Sequence, residues 1–178
     1  MHRADRSWTH EGGGPRLPAR LRRVAGDRNG AGLRIGIVVS RYNARHTASL
    51  LRAAVRELVR CGVEPEAITV AEVPGAFEIP AAVSEMVRHH SLDAVIALGC
   101  VIQGETPHAS LINSTVAMRL SELSERHRVP VVDAVVPALT EEQARARCAP
   151  GPSNRGVYAA HVAIEMARLF ERLGAGGP

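Results

Sequence analysis

Residues 99–108 read GCVIQGETPH, an apolar run that ends in Glu105, Thr106, Pro107 and His108. These types at this spacing could hold an anion beside a proton carrier. Gly99 and Gly104 are expected to let the backbone turn tightly. Backbone N–H groups at a helix start bind anions, and the Thr106 hydroxyl adds a donor. His108, one turn in, could move a proton near neutral pH. The same letters also suit a capped helix start with an incidental histidine, and the stretch alone does not separate the two.

Other residues bear on that choice. The chain has five aromatics, and Tyr42 and Phe77 both follow apolar β-like runs rather than lying inside them. A core normally takes most aromatic side chains, so two placed beyond strand ends suggest stacking on a flat ring, or a cover over the sheet end. Glu78 could bind substrate hydroxyls or simply favour a helix dipole. Arg147 and Arg155 flank CAPGPSN and could bind phosphate or remain solvated. His46, His89, His90, His127 and His161 show no metal-ligand spacing and are expected at the surface. Cys61, Cys100 and Cys148 are an odd set without CxxC spacing, which argues for free thiols over a disulfide framework or a zinc site.

The elements that must position these residues follow a regular order. LRIGIVVS, AITVAEV, DAVIALG and VPVVDAVV read as buried strands. TASLLRAAVRELVRCG places Leu51, Ala54, Val55, Leu58 and Val59 on one helical stripe, with Gly62 as its stop. EIPAAVSEMVRHH is a second helix. A third runs from about Ser110 to His127, with Leu111, Thr115 and Leu123 facing inward. TEEQARAR is short, and GVYAAHVAIEMARLFERL closes the chain. Strands alternating with helices predict parallel pairing in a doubly wound, flavodoxin-like α/β fold, with four strands and helices on both faces. Ligands in such folds bind outside the carboxyl ends of the strands. SRYN, PGAFE, GCVIQGETPH and PAL should therefore share one edge. Residues 1–20 are expected to be a disordered basic leader, 21–173 the domain, and 174–178 a flexible tail.

Bulk properties narrow the function. The net charge is +4, yet residues 1–33 hold seven arginines against three acids, while the remainder carries 15 basic and 15 acidic residues. The body is neutral, so a nucleic-acid-binding face is not expected. No apolar run approaches the ~20 residues of a membrane span. The start lacks signal-peptide order, which makes the cytoplasm the expected compartment. All 22 basic residues are arginine. Pyridoxal-phosphate enzymes, Schiff-base aldolases and P-loop NTPases each need a lysine and are set aside.

Together the motifs resemble the lumazine synthase family over about residues 21–173. VVSRYN resembles its first-strand motif, VPGAFEIP is its second, and GCVIQGETPH resembles its third. EEQARAR and SNRG, leading into AAHVAIEMA, match its C-terminal pair. The resemblance implies condensation of 5-amino-6-ribitylaminouracil with 3,4-dihydroxy-2-butanone 4-phosphate, without a cofactor or metal. It further implies that Tyr42 stacks on the pyrimidine and that Ala76, Phe77 and Glu78 hold the ribityl chain. Cys100, Val101 and Ile102 would present backbone to the ring, and Glu105 and Thr106 would contact phosphate. Arg147 would reach in from a neighbouring subunit, Arg155 would stand at a usual lysine position, and His108 would carry the proton. Small-molecule substrates, a homopentamer often built into an icosahedral shell, and riboflavin synthase are the implied partners. Further departures from the family are Gln103 for a frequent arginine, Asp133 where an apolar residue meets the pyrimidine, HASLI for an aromatic-acidic run, and VVPAL without the usual threonine pair. A paralogue with a related product, or a non-catalytic shell protein, would share the fold.

Overall fold

A computed structural model describes residues 21–175. Four strands, β1 (Ile35–Ser40), β2 (Ile68–Val73), β3 (Ala94–Ile102) and β4 (Val131–Ala138), form one sheet in the order β2-β1-β3-β4. Every pairing is parallel, with Val38 beside both Ala71 and Ala97. Five α-helices connect and flank the strands: α1 (Ala44–Arg60), α2 (Ile79–His89), α3 (His108–His127), α4 (Glu141–Cys148) and α5 (Arg155–Ala175). The expected fold class is therefore the observed one. The last helix continues past the expected domain end at residue 173.

The alternation of strand side chains divides the core in two. Ile35, Ile37, Val39, Ile96, Leu98 and Val136 face α1, α4 and α5. Val38, Val95, Ala97 and Val135 face α2 and α3. Period-two alternation with apolar residues on both faces is what a sheet covered by helices on both sides requires. Neither face of β1, nor of β3 as far as Cys100, meets water, which explains their unbroken apolar sequence. Gly36 is small for a packing reason: a Cβ there would lie 2.5 Å from Met86 Sδ.

Several expected details differ. The buried residues of α1 are His46, Thr47, Leu50, Ala54, Glu57 and Leu58, while Val59 is exposed. Glu57 takes an inward position because His161 of α5 and Arg60 bind its carboxylate. In α3 the inward set is Ala109, Val116, Leu120 and Leu123, and both Leu111 and Thr115 point outward. Gly62 does stop α1, with φ at 96° in the region that favours glycine. Gly99 and Gly104 have no positive φ, contrary to the tight turn expected of them. Gly99 lies within β3, where an added Cβ would crowd Val135 and Ile79 at 3.1–3.3 Å. Its role is close packing.

The segment before β1 lies along α5. Arg28 Nε donates to Glu165 at 2.6 Å, Arg168 Nε donates to the Asn29 carbonyl at 2.8 Å, and Arg172 pairs with Asp27. Its other end is tied to α1 by the Gly30 N–H, which donates to the Cys61 carbonyl at 2.8 Å. No helix of the described residues is long and apolar enough to cross a membrane. The leader at 1–20 lies outside the described residues.

Candidate active site

The sheet order reverses between β1 and β3, since β1 connects outward to β2 and β3 outward to β4. A crevice opens at such a switch point, beyond the carboxyl ends of the strands. Here it is a cleft of about 360 Å³. Loops after β1, β2 and β3 supply its walls.

The first wall is Tyr42, whose side chain is 72% exposed despite its size. Its loop is held firmly: the Arg41 and Tyr42 N–H groups donate to Val73 and Pro74 carbonyls at 2.8 and 3.0 Å. Asn43 follows in the left-handed conformation, and its Nδ2 donates to the Cys100 carbonyl at 2.9 Å. That bond joins the β1 loop to the end of β3 across the switch point. Asparagine tolerates this conformation better than most residues. The second wall is Gly75, Ala76, Phe77 and Glu78. A Cβ on Gly75 would lie 2.9 Å from Glu78 Oε2, so glycine leaves room for that carboxylate. Phe77 is 61% exposed. Two exposed aromatics and one carboxylate thus border one small cleft.

The third wall belongs to the 99–108 stretch. Cys100, Val101 and Ile102 are the last residues of β3, so the stretch is strand for its first four positions and loop only afterwards. Cys100 is buried, and the adjacent Cys148 thiol together with burial pushes its thiol pKa up, leaving it protonated. Gln103 then closes the loop from within. Its Nε2 donates to the Gly104 carbonyl at 2.9 Å and the Thr106 carbonyl at 2.6 Å, and its N–H donates to Ala138 at 2.8 Å. Thr106, His108, Ala109 and Ile112 complete the lining. Pro107 occupies the N-cap of α3 with no side-chain cap bond, so the first-turn N–H groups keep their donor capacity toward the cleft mouth.

Nine of the thirteen residues singled out from the sequence line this cleft: Tyr42, Ala76, Phe77, Glu78, Cys100, Val101, Ile102, Thr106 and His108. Four do not. Glu105 sits in the loop but outside the lining. Asp133 lies on the edge strand β4, where burial pushes its carboxyl pKa up and the Val135 N–H, donating at 2.9 Å, opposes this. Arg147 Nη1 donates to the Pro137 carbonyl at 2.9 Å, on the outer side of β4. Arg155 starts α5, its guanidinium 4.8 Å over the Tyr158 ring. Among the described residues, no arginine of the chain lines its own cleft.

Sequence reasoning missed Asn43 and Ile112. Ile112 was available, one turn after His108 on the same helix face. Asn43 was not, because its value depends on a carbonyl 57 residues away. Two histidines expected at the surface are also inside. His46 is 6% exposed, its Nε2 2.8 Å from Glu141 Oε1, and His161 is half-buried against Glu57. The three cysteines are free thiols, as expected.

The sequence profile of the 6,7-dimethyl-8-ribityllumazine synthase family matches residues 32–171. The chain belongs to this family. It is similar to the 6,7-dimethyl-8-ribityllumazine synthase of Aquifex aeolicus, 45% identical over 142 residues, covering 80% of this chain and 92% of that protein. The enzyme of the same name from Pyrococcus furiosus is 42% identical over 155 residues, covering 87% and 96%. That from Methylobacillus flagellatus is 39% identical over 153 residues, covering 86% and all of that protein. The family match thus spans all four strands, and the cleft falls within it.

Proposed function

We propose that the chain condenses 5-amino-6-(D-ribitylamino)uracil with 3,4-dihydroxy-2-butanone 4-phosphate to 6,7-dimethyl-8-ribityllumazine, releasing phosphate and water. Membership of the family supports this reading. The observation that carries it at the site is the meeting of Tyr42, Phe77, Glu78, Thr106 and His108 around one cleft at the switch point.

In this reading Tyr42 stacks on the pyrimidine, and Glu78 accepts hydrogen bonds from ribityl hydroxyls beside Ala76 and Phe77. The backbone of Cys100, Val101 and Ile102 faces the ring. Thr106, Glu105 and the first-turn N–H groups of α3 hold the phosphate. His108 moves protons as the amine of one substrate attacks the ketone of the other and water leaves. Carbonyl and amine both come from substrates, so the protein supplies positioning and proton transfer. It needs neither a lysine nor a cofactor for this chemistry.

The cation for the phosphate is Arg147 of a neighbouring copy, because no arginine among the described residues lines the chain's own cleft. Asp133 and Arg155 belong to the same shared edge. The assembly is a homopentamer, with an icosahedral shell as its larger form and riboflavin synthase as its protein partner. Residues 21–173, with the end of α5, are the working domain, and the compartment is the cytoplasm. The test is direct: purified protein with both substrates, followed by the fluorescence of the lumazine. Formation well above the uncatalysed rate is expected. Product at the background rate, or a different ring system, overturns the proposal.

A further inference from the structure

Away from the cleft, α1 and α5 pack along one another and bring together three metal-ligand types. Glu57 lies in the last turn of α1 and Cys61 is its C-cap four residues on, so the two share a face. His161 of α5 lies opposite, and one ligand atom from each residue falls within 4.8 Å of the others. Glu57 Oε1 is 3.9 Å from Cys61 Sγ and shares a hydrogen bond with His161 Nε2. We infer that Glu57, Cys61 and His161 form a binding site for a divalent transition metal of borderline softness, of the Zn²⁺ class.

The donor set fits that class. Carboxylate, thiolate and imidazole are the three side-chain ligands that zinc takes, and three protein ligands leave a fourth position for water. Tetrahedral bonds of about 2.0–2.3 Å place ligand atoms roughly 3.3–3.8 Å apart. The present spacing brackets that, so side-chain torsions suffice to close around an ion. Glu57 is the one carboxylate residue in the buried class among the described residues. Nothing in the proposed condensation uses it.

The cluster already holds a cation. Arg60 places Nε 2.9 Å from Glu57 Oε2 and Nη2 2.5 Å from Oε1, with Nη2 also 3.9 Å from Cys61 Sγ. Its side chain is 66% exposed. The guanidinium end faces solvent, so it can swing away, but an incoming ion must displace a two-point contact to a buried carboxylate. Arg28, from the segment before β1, is the other charge near the thiol. Without metal, burial and the Glu57 charge keep Cys61 protonated. Binding therefore breaks the S–H bond, forms a metal–sulfur bond and releases one proton to the buffer. The His161–Glu57 hydrogen bond opens, the imidazole proton shifts from Nε2 to Nδ1 by exchange with water, and Nε2 and the carboxylate each donate a lone pair to the ion. Affinity rises with pH as a result.

The experiment uses the full chain, stripped with a chelator and titrated with Co²⁺, whose thiolate charge-transfer and tetrahedral d–d absorption report the ligands. One equivalent per chain is expected to give both bands, with Zn²⁺ displacing them and one proton released per ion. Cys61→Ser should abolish the charge-transfer band and His161→Gln the stoichiometric binding. Arg60→Ala should bind more tightly than the parent. Far-ultraviolet circular dichroism unchanged from the parent shows that these variants are folded. Absence of a thiolate band in the parent and in Arg60→Ala, or its survival in Cys61→Ser, overturns the inference. This test is independent of whether the chain makes lumazine.

Discussion

His108 begins α3 and lines the cleft with Thr106 two residues before it, so the proposed proton transfer and anion binding would share one short loop. Positioned acid–base groups typically contribute about 10²–10⁴-fold to a rate. His108→Ala should therefore lower kcat for lumazine formation by roughly that range, while the melting temperature stays close to that of the parent, because the side chain is exposed. Steady-state kinetics alongside a thermal melt checks both halves. Gln103 is a different case. Its amide bonds two carbonyls of the loop it begins, so it shapes the cradle without bringing charge. Gln103→Ala frees both carbonyls and should raise KM for the phosphorylated substrate more than it lowers kcat. A kcat loss at unchanged KM would instead make Gln103 part of the chemistry. The departure from arginine at this position thus has a physical account: an amide fixes the loop where a cation would have served it electrostatically.

The elements show where sequence pattern suffices and where it stops. All four strands and five α-helices were legible, because apolar runs of β-branched residues and helices of ten or more residues leave few alternatives in a parallel sheet. Faces were harder. The α1 stripe was placed through Val59, but Glu57 turns inward because a histidine 104 residues away meets it. Periodicity reads apolarity, and a buried ion pair looks polar to it. In α3 several apolar residues lie on both sides of the helix, so Leu111 and Thr115 were placed inside when Val116 and Leu120 are. The inward carboxylate carries its own prediction. Arg60 and His161 hold the Glu57 pKa down from 4.5 to about 2. A group with a depressed folded pKa stabilises above its unfolded value, and that stability is lost as pH falls through the folded one. The α1–α5 contact should therefore weaken between about pH 4.5 and 2. With chelator present, Glu57→Gln should be less stable than the parent at pH 7. Denaturant melts across that range should show the gap closing toward pH 2, and a constant gap would assign the effect to packing alone.

At the scale of the molecule, the arrangement of cations is uneven. The cleft has aromatics, a carboxylate and a histidine, but among the described residues no arginine of its own chain lines it. Arg147 lies beyond the edge strand β4, resting on the Pro137 carbonyl, with Asp133 on that same strand. The motif containing Arg147 was legible from the sequence, but its expected reach into a neighbouring copy came from the family resemblance alone, since spacing along a chain does not say which copy a side chain serves. A phosphate cradle lacking a full cation is completed if β4 and α4 of one copy border the cleft of the next. Head-to-tail contacts of this kind close into rings. Complementation decides the matter. His108→Ala and Arg147→Ala should each be strongly impaired when assembled alone, Arg147→Ala chiefly through a raised KM for the phosphorylated substrate. Dissociated, mixed equally and reassembled, they should regain roughly a quarter of parental activity. Random head-to-tail assembly pairs an intact His108 with a neighbour's intact Arg147 at about that fraction of sites. If both residues acted within one chain, every site in the mixture would lack one of them, and mixing would restore nothing.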